Sequence, residues 1–136
     1  MISTGESIGG MPAARGSHPL IARAGTALVV EDNMIIAMEA EEVLRELGYA
    51  DCHVCGSVRS AMRIIEENEI AFALLDIDLG EETSEAVARA LQARGTPFLF
   101  ASGYDEFPEL DPVLASIPVV TKPYTGSDIA AALAEL

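Results

Sequence analysis

Two aspartates stand one residue apart where an apolar segment ends. The segment, residues 74–80, reads LLDIDLG, and its two carboxylates belong to Asp76 and Asp78. A carboxylate that closes a buried segment can attack phosphorus and become an acyl phosphate, bind a metal ion, or act as an acid or base. The pattern therefore indicates phosphoryl or metal chemistry, with the roles of the two aspartates still to be separated.

Three further apolar segments also end in polar residues. Glu31 and Asp32 follow TALVV, Ser102 closes TPFLFAS, and Lys122, the only lysine, follows IPVVT. Clustered carboxylates require a hard cation such as Mg²⁺, and an ammonium and a hydroxyl group stabilise the charge of a phosphoryl group. Each residue alone has a structural interpretation, as a helix cap or a surface charge. Together they predict a phosphoryl-transfer site, provided that the segments are strands of one sheet.

Short apolar segments alternate with patterns of helical period along residues 26–136. Strands are predicted over residues 26–30, 52–56, 70–76, 96–102 and 117–121, and helices over residues 34–47, 58–68, 83–95 and 126–136. The segment 70–76 is apolar on both faces, which is typical of a buried parallel strand. This order predicts an α/β domain with a doubly wound, five-stranded parallel sheet. Such sheets bind ligands at the carboxyl ends of their strands, where the polar residues lie.

The helix ends show capping residues. Ser57 is predicted to cap the second helix, and Ser127 or Asp128 the last one. The only window for a helix between the last two strands, residues 105–116, contains two prolines, so we expect a short, kinked or mobile element there.

The composition excludes several classes of function. The net charge is −14, from 22 acidic and 8 basic residues, which argues against direct binding to nucleic acid or an anionic membrane. We find neither a secretion signal nor an apolar run long enough to cross a bilayer, so we expect a cytoplasmic protein. Residues 1–25 are rich in Gly, Ser, Ala and Pro and are predicted to form a flexible tail.

The two cysteines have the CxxC spacing of some metal and redox sites. Cys52 and Cys55, however, lie on one predicted strand. Residues three apart on a strand point to opposite faces, so the two sulfurs would diverge. We therefore predict no metal or redox site there.

Four motifs, LVVEDN, ALLDIDLG, FLFASGY and VVTKPY, resemble the receiver domain of two-component response regulators over about residues 26–136. PFLFASGY also resembles the signature of an atypical subset that is often single-domain. The resemblance implies a (βα)5 flavodoxin-like fold. It implies a phosphoprotein that takes a phosphoryl group from a histidine kinase or phosphotransfer protein, with Mg²⁺ or Mn²⁺. Because the sequence ends directly after the last predicted helix, we expect output through a downstream protein or action as a phosphate sink.

The resemblance also implies roles for single residues at the metal site. Asp76 matches the phospho-acceptor. Asp32 matches the more direct Mg²⁺ ligand, and Glu31 a ligand that acts largely through water. Asp78 matches the residue that offers its backbone carbonyl to the metal ion.

Further matches concern the phosphoryl group and the conformational switch. Ser102 matches the hydroxyl that binds the phosphoryl group, and Lys122 matches the lysine that pairs with one of its oxygens. The usual switch aromatic stands three residues before that lysine, where this sequence has Val119. Tyr104, after the glycine of FLFASGY, is the candidate replacement.

Two alternatives stay open. Aspartate-nucleophile phosphatases also use an Asp-x-Asp, but on their first strand and with an acidic pair after the lysine. Here only Asp128 and Glu135 follow Lys122. The second alternative is a pseudo-receiver that binds a partner without being phosphorylated, which the missing aromatic at Val119 favours.

Overall fold

A five-stranded parallel sheet forms the centre of the computed structural model, which describes residues 23–103 and 112–136. The strands are β1 (Arg23–Val30), β2 (Tyr49–Cys55), β3 (Ile70–Asp76), β4 (Phe98–Ser102) and β5 (Val119–Thr121). The helices are α1 (Met34–Glu46), α2 (Val58–Glu67), α3 (Glu85–Ala93) and α4 (Gly126–Leu133). The strand order is β2-β1-β3-β4-β5, so the chain winds outward in both directions from β1. The predicted fold class is confirmed.

The sheet separates two apolar layers. One layer holds the buried faces of α1 and α4, and the other holds those of α2 and α3. Strand β3 contributes side chains to both layers. Phe72 and Leu74 face the first layer, and Ala73 and Leu75 face the second. This alternation explains why the sequence of β3 is apolar throughout.

Several strands begin at other residues than predicted. Strand β1 begins at Arg23 rather than residue 26, so residues 23–25, which were predicted to belong to the tail, are strand; residues 1–22 lie outside the described residues. Strands β4 and β5 begin directly after Pro97 and Pro118. Each proline lacks the N–H that a strand residue donates, yet its carbonyl accepts a bond from the neighbouring strand.

The helix caps are partly as predicted. Ser57 caps α2, since its Oγ accepts a hydrogen bond from Ser60 N at 3.1 Å. The prediction that Ser127 or Asp128 caps the last helix was wrong. Thr125 Oγ1 accepts from Asp128 N, and Asp128 Oδ2 accepts from Thr125 N, which makes a capping box with Thr125 as the cap.

The connection from β4 to β5 is described from residue 112 onward. The described part contains a 3₁₀ turn, Pro112–Leu114, whose Leu114 is buried in the α2/α3 layer. Residues 104–111 lie outside the described residues, so the expectation of a short, kinked or mobile element over residues 105–116 stays a prediction. In the part of the chain that the structure describes, each helix is too short or too polar to cross a bilayer.

Candidate functional site

The polar residues that follow the strands meet at one edge of the sheet. Strand pairing places Val30 beside Leu75, and Asp76 beside Ala101. The residues after these positions therefore line the carboxyl edge together. A cleft of about 290 Å³ opens at this edge, and its polar lining includes Glu31, Asp32, Asp76, Asp78 and Lys122. The predicted convergence is thus confirmed for these five residues.

Lys122 joins the two buried carboxylates. Its Nζ donates to Glu31 Oε1 at 3.0 Å and to Asp76 Oδ2 at 3.1 Å. A backbone bond from Lys122 N to Ser102 O, at 2.8 Å, fixes the start of the loop that carries the lysine. The other Glu31 oxygen, Oε2, accepts from Asn33 N at 3.1 Å. Both oxygens of Glu31 are thus held within the protein.

Asp76 is a buried carboxyl group whose pKa is raised above its ordinary value. Burial raises its pKa, and the neighbouring Glu31 carboxylate raises it further, while Lys122 lowers it; the net value is about 7. Only 4% of Asp76 is exposed. Burial also lowers the pKa of Lys122, but its hydrogen bonds to Glu31 and Asp76 outweigh this, so the net pKa is raised. Lys122 therefore stays charged while Asp76 titrates near neutral pH.

Three carboxylates are close enough to share one cation. Glu31, Asp32 and Asp76 each offer an oxygen, and these atoms lie within 4.8 Å of one another. Asp32 is exposed, unlike the other two. Hard carboxylate oxygens beside a solvent-open cleft suit Mg²⁺, which keeps part of its water shell in proteins. The residues present therefore fit the predicted cation.

The loop after β3 crosses the cleft next to Asp32. Gly80 has φ +93°, and a Cβ atom on it would lie 3.6 Å from Asp32 Oδ2. Asp78 Oδ1 accepts a hydrogen bond from Gly80 N at 2.9 Å, so the Asp78 side chain stabilises the turn. The predicted role of the Asp78 backbone carbonyl as a metal ligand remains a prediction.

Two solved structures of SdrG are similar to this chain. Neither a scan of family models nor a search of the curated proteins gives a match. Among solved structures, SdrG from Sphingomonas melonis Fr1 is 38% identical, with a TM-score of 0.72 over 81% of this chain and 93% of that one. The BeF3-activated conformation of SdrG from Pseudomonas melonis Fr1 is 37% identical, with a TM-score of 0.66 over 80% and 92%.

A response regulator receiver domain (CheY-like) from Methylobacillus flagellatus shares the fold. Its TM-score is 0.69 at 20% identity, over 83% of this chain and 98% of that one. The chain belongs to the receiver family of response regulators.

Two predicted positions of this receiver domain, Ser102 and Val119, are not among the residues that line the described cleft. Ser102 ends β4 at the carboxyl edge and is 3% exposed, and its predicted contact with the phosphoryl group stays a prediction. Val119, which stands where the switch aromatic was expected, is 44% exposed at the start of β5. Tyr104, the predicted replacement, lies outside the described residues. The role of Tyr104 therefore stays a prediction.

Two residues that interact with the receiver site, Asn33 and Tyr124, were not among the predicted site residues. Asn33 caps α1 through its Oδ1 and also donates its backbone N–H to Glu31. Tyr124 packs against the α1/α4 layer, and its pKa is raised by burial and by the charges of Glu31 and Asp76. The EDN and KPY segments contained both residues, but neither a capping amide nor a half-buried tyrosine is by itself a sign of a site.

The two cysteines of the receiver domain lie apart, as predicted. Cys55 is buried in the α2/α3 layer, whereas Cys52 packs against the α1/α4 layer. Burial raises the pKa of both thiols, that of Cys52 to about 11. Both thiols are protonated at neutral pH, which suits neither a metal ligand nor a nucleophile.

Proposed function

We propose that this receiver domain accepts a phosphoryl group on Asp76 from the phosphohistidine of a kinase or phosphotransfer protein, in a Mg²⁺-dependent reaction. The observation that carries the proposal is the geometry around Asp76. Its carboxylate is buried at a strand end, 3.1 Å from the Lys122 ammonium group and within 4.8 Å of two other carboxylates. A nucleophile, a cation site and a charge partner for the product thus lie together.

The proposed reaction is an in-line transfer. An ionised Asp76 oxygen attacks phosphorus, the P–N bond to the donor histidine breaks, and the imidazole nitrogen leaves with the electron pair. Bound Mg²⁺ would neutralise negative charge on the phosphoryl oxygens. Lys122 Nζ, already at the Asp76 carboxylate, moves onto a phosphoryl oxygen, and Ser102 supplies a hydroxyl to another.

The two acidic residues after β1 have different proposed roles at the Mg²⁺ site. Both oxygens of Glu31 accept hydrogen bonds within the protein, whereas the Asp32 carboxylate is exposed toward the cleft. This supports Asp32 as the more direct ligand, with Glu31 acting through water and by holding Lys122. The Asp78 carbonyl completes the proposed ligand set.

Mass spectrometry tests the phospho-acceptor directly. The protein is incubated with Mg²⁺ and acetyl phosphate, and with a phosphorylated cognate kinase, since small donors do not serve every receiver. We expect a mass gain of one phosphoryl group on Asp76, no gain in Asp76→Asn, and a gain in the control Asp78→Asn. A full gain in Asp76→Asn would refute the assignment. A BeF3-activated conformation exists for SdrG, which supports beryllofluoride as a second probe here.

We further propose that the protein is a cytoplasmic signalling partner and not an enzyme acting on an external substrate. Its chemistry would then consist of self-phosphotransfer and autodephosphorylation. Output is through binding to a downstream protein or through draining phosphate from the kinase. The lifetime of the acyl phosphate separates these outcomes, because a messenger needs a long-lived bond and a sink a short-lived one.

Two alternatives have specific tests. The Asp78 side chain accepts a bond within its own turn, which disfavours the acid/base role that a phosphatase requires. Turnover of a phosphate ester that disappears in Asp78→Asn would favour the phosphatase. The exposed Val119 favours an unphosphorylated binding module. Equal partner binding by the wild type and Asp76→Asn, with no phosphoryl group gained by the wild type, would favour that module.

A further inference from the structure

The carboxylate of Glu82 joins two loops that are distant in sequence. Glu82 lies in the loop between β3 and α3, and its Oε2 accepts a hydrogen bond from Val58 N at 3.0 Å. Val58 is the first residue of α2, 24 positions earlier in the chain. A carboxylate at this position is favoured by the helix dipole as well as by the hydrogen bond.

Both of the joined loops touch Asp32. On one side, a Cβ atom on Gly56, in the turn before α2, would lie 3.4 Å from Asp32 Cα. On the other side, a Cβ atom on Gly80 would lie 3.6 Å from Asp32 Oδ2. Glu82 therefore links the two loops that flank Asp32, one beside its backbone and the other beside its carboxylate.

The Glu82 segment is also coupled to the loop that carries Asp78. Leu79 N donates to Glu82 O at 2.9 Å, and Gly80 N donates to Asp78 Oδ1 at 2.9 Å. Ser84 N donates to Ile77 O at 3.0 Å, which closes the base of the same loop. These bonds make residues 77–84 one compact unit, so a tether at Glu82 restrains the position of the Asp78 carbonyl.

We propose that Glu82 is a positioning residue for the cation site: its bond to the N-terminus of α2 holds the loop 77–84 against Asp32 and thereby sets the affinity for Mg²⁺. The inference rests on the proposed function, because it assumes that Mg²⁺ binds at Asp32 and at the Asp78 carbonyl. Outer-shell contacts of this kind orient the ligands of a metal ion without touching it.

The test compares three variants of the full chain. Each is titrated with Mg²⁺, and binding is measured by calorimetry and by the shifts of amide NMR signals. Glu82→Ala removes the acceptor, and we expect its Mg²⁺ affinity to fall by about tenfold. Glu82→Gln keeps an acceptor oxygen at the same reach and should restore most of the affinity. Glu81→Ala, at an exposed neighbouring position, removes the same charge and should change the affinity by less than about twofold.

The Val58 amide signal reports the tether independently of the metal. Without Mg²⁺, it should shift strongly in Glu82→Ala and little in Glu81→Ala. Equal Mg²⁺ affinity in Glu82→Ala and the wild type, or equal losses in Glu82→Ala and Glu81→Ala, would overturn the inference and leave the proposed function intact. A wild-type protein that binds no Mg²⁺ and accepts no phosphoryl group would instead overturn the proposed function together with the inference.

Discussion

Lys122 Nζ lies 3.1 Å from Asp76 Oδ2, although the two residues are 46 positions apart and follow different strands. The same ammonium group lies 3.0 Å from Glu31 Oε1. The Lys122 ammonium group thus bridges two buried carboxylates and offsets the repulsion between them. When the proposed phosphoryl group arrives, Lys122 is within reach of it and does not need to be recruited from solvent.

Replacing Lys122 by Met should slow phosphorylation of Asp76 by about a hundredfold, since one preorganised donor to the developing charge is lost. Initial rates with a phosphorylated kinase at saturating Mg²⁺ measure this effect. Arg63→Gln on the exposed side of α2 removes one positive charge elsewhere and serves as the control. A rate in Lys122→Met close to that of Arg63→Gln would exclude a direct role for the lysine.

The raised pKa of Asp76 makes stability depend on pH. In the unfolded chain Asp76 loses its proton near its ordinary pKa of 3.8, whereas in the folded chain the proton is held up to about 7. Between these values the folded state binds more protons, so the free energy of unfolding falls as pH rises from about 4 to about 7.

Asp76→Asn cannot ionise and should therefore be more stable than the wild type at pH 8, by on the order of 2 kcal/mol, with little difference at pH 4. Urea unfolding at the two pH values, without Mg²⁺, measures the difference. Saturating Mg²⁺ should reduce it, because a cation bound to the native site stabilises the ionised wild type. A difference that is the same at both pH values would show that Asp76 does not titrate in this range.

Five charged residues of the cleft could be predicted from the sequence because parallel topology brings strand ends together. Glu31, Asp76 and Lys122 each follow an apolar segment, and once those segments are parallel strands their ends share one edge. The prediction needed no knowledge of side-chain contacts. It therefore identified five charged residues of the cleft but neither Asn33, which also lines it, nor which of these side chains touch.

The contacts themselves depend on competition between neighbours that a linear pattern does not contain. Thr125 and Asp128 cap α4 together, whereas Ser127, which is also a good capping residue, does not cap it. The bond between Glu82 and Val58 joins two loops whose distance is set by the packing of α2 against α3. Contacts of this kind follow from the assembled fold and carry no local sequence signal.

Gly80→Ala should weaken Mg²⁺ binding as well as stability. The positive φ of this residue is unfavourable for alanine, and the new methyl group would contact the Asp32 carboxylate. Gly95→Ala is a matched control, because Gly95 has φ +72° but no atom within 4 Å of its Cβ position. Both variants should lose about 1–2 kcal/mol of unfolding free energy. Only Gly80→Ala should also lose Mg²⁺ affinity by calorimetry, and equal affinities in the two variants would contradict a close approach of this loop to the cation.

Glu31→Gln should lower the pKa of Asp76, because the Glu31 carboxylate is one of the causes that raise it. The amide oxygen can still accept from Lys122, so the ammonium group remains beside Asp76 and continues to favour its ionised form. Titration of the Asp76 carboxyl carbon by NMR without Mg²⁺ measures the shift, and Glu39→Gln on α1 removes a charge from a more distant carboxylate for comparison. We also expect Asp32→Asn to weaken Mg²⁺ binding more than Glu31→Gln does, since both Glu31 oxygens are already engaged. An unchanged or raised Asp76 pKa in Glu31→Gln would mean that the Glu31 carboxylate does not raise the pKa of the proposed phospho-acceptor.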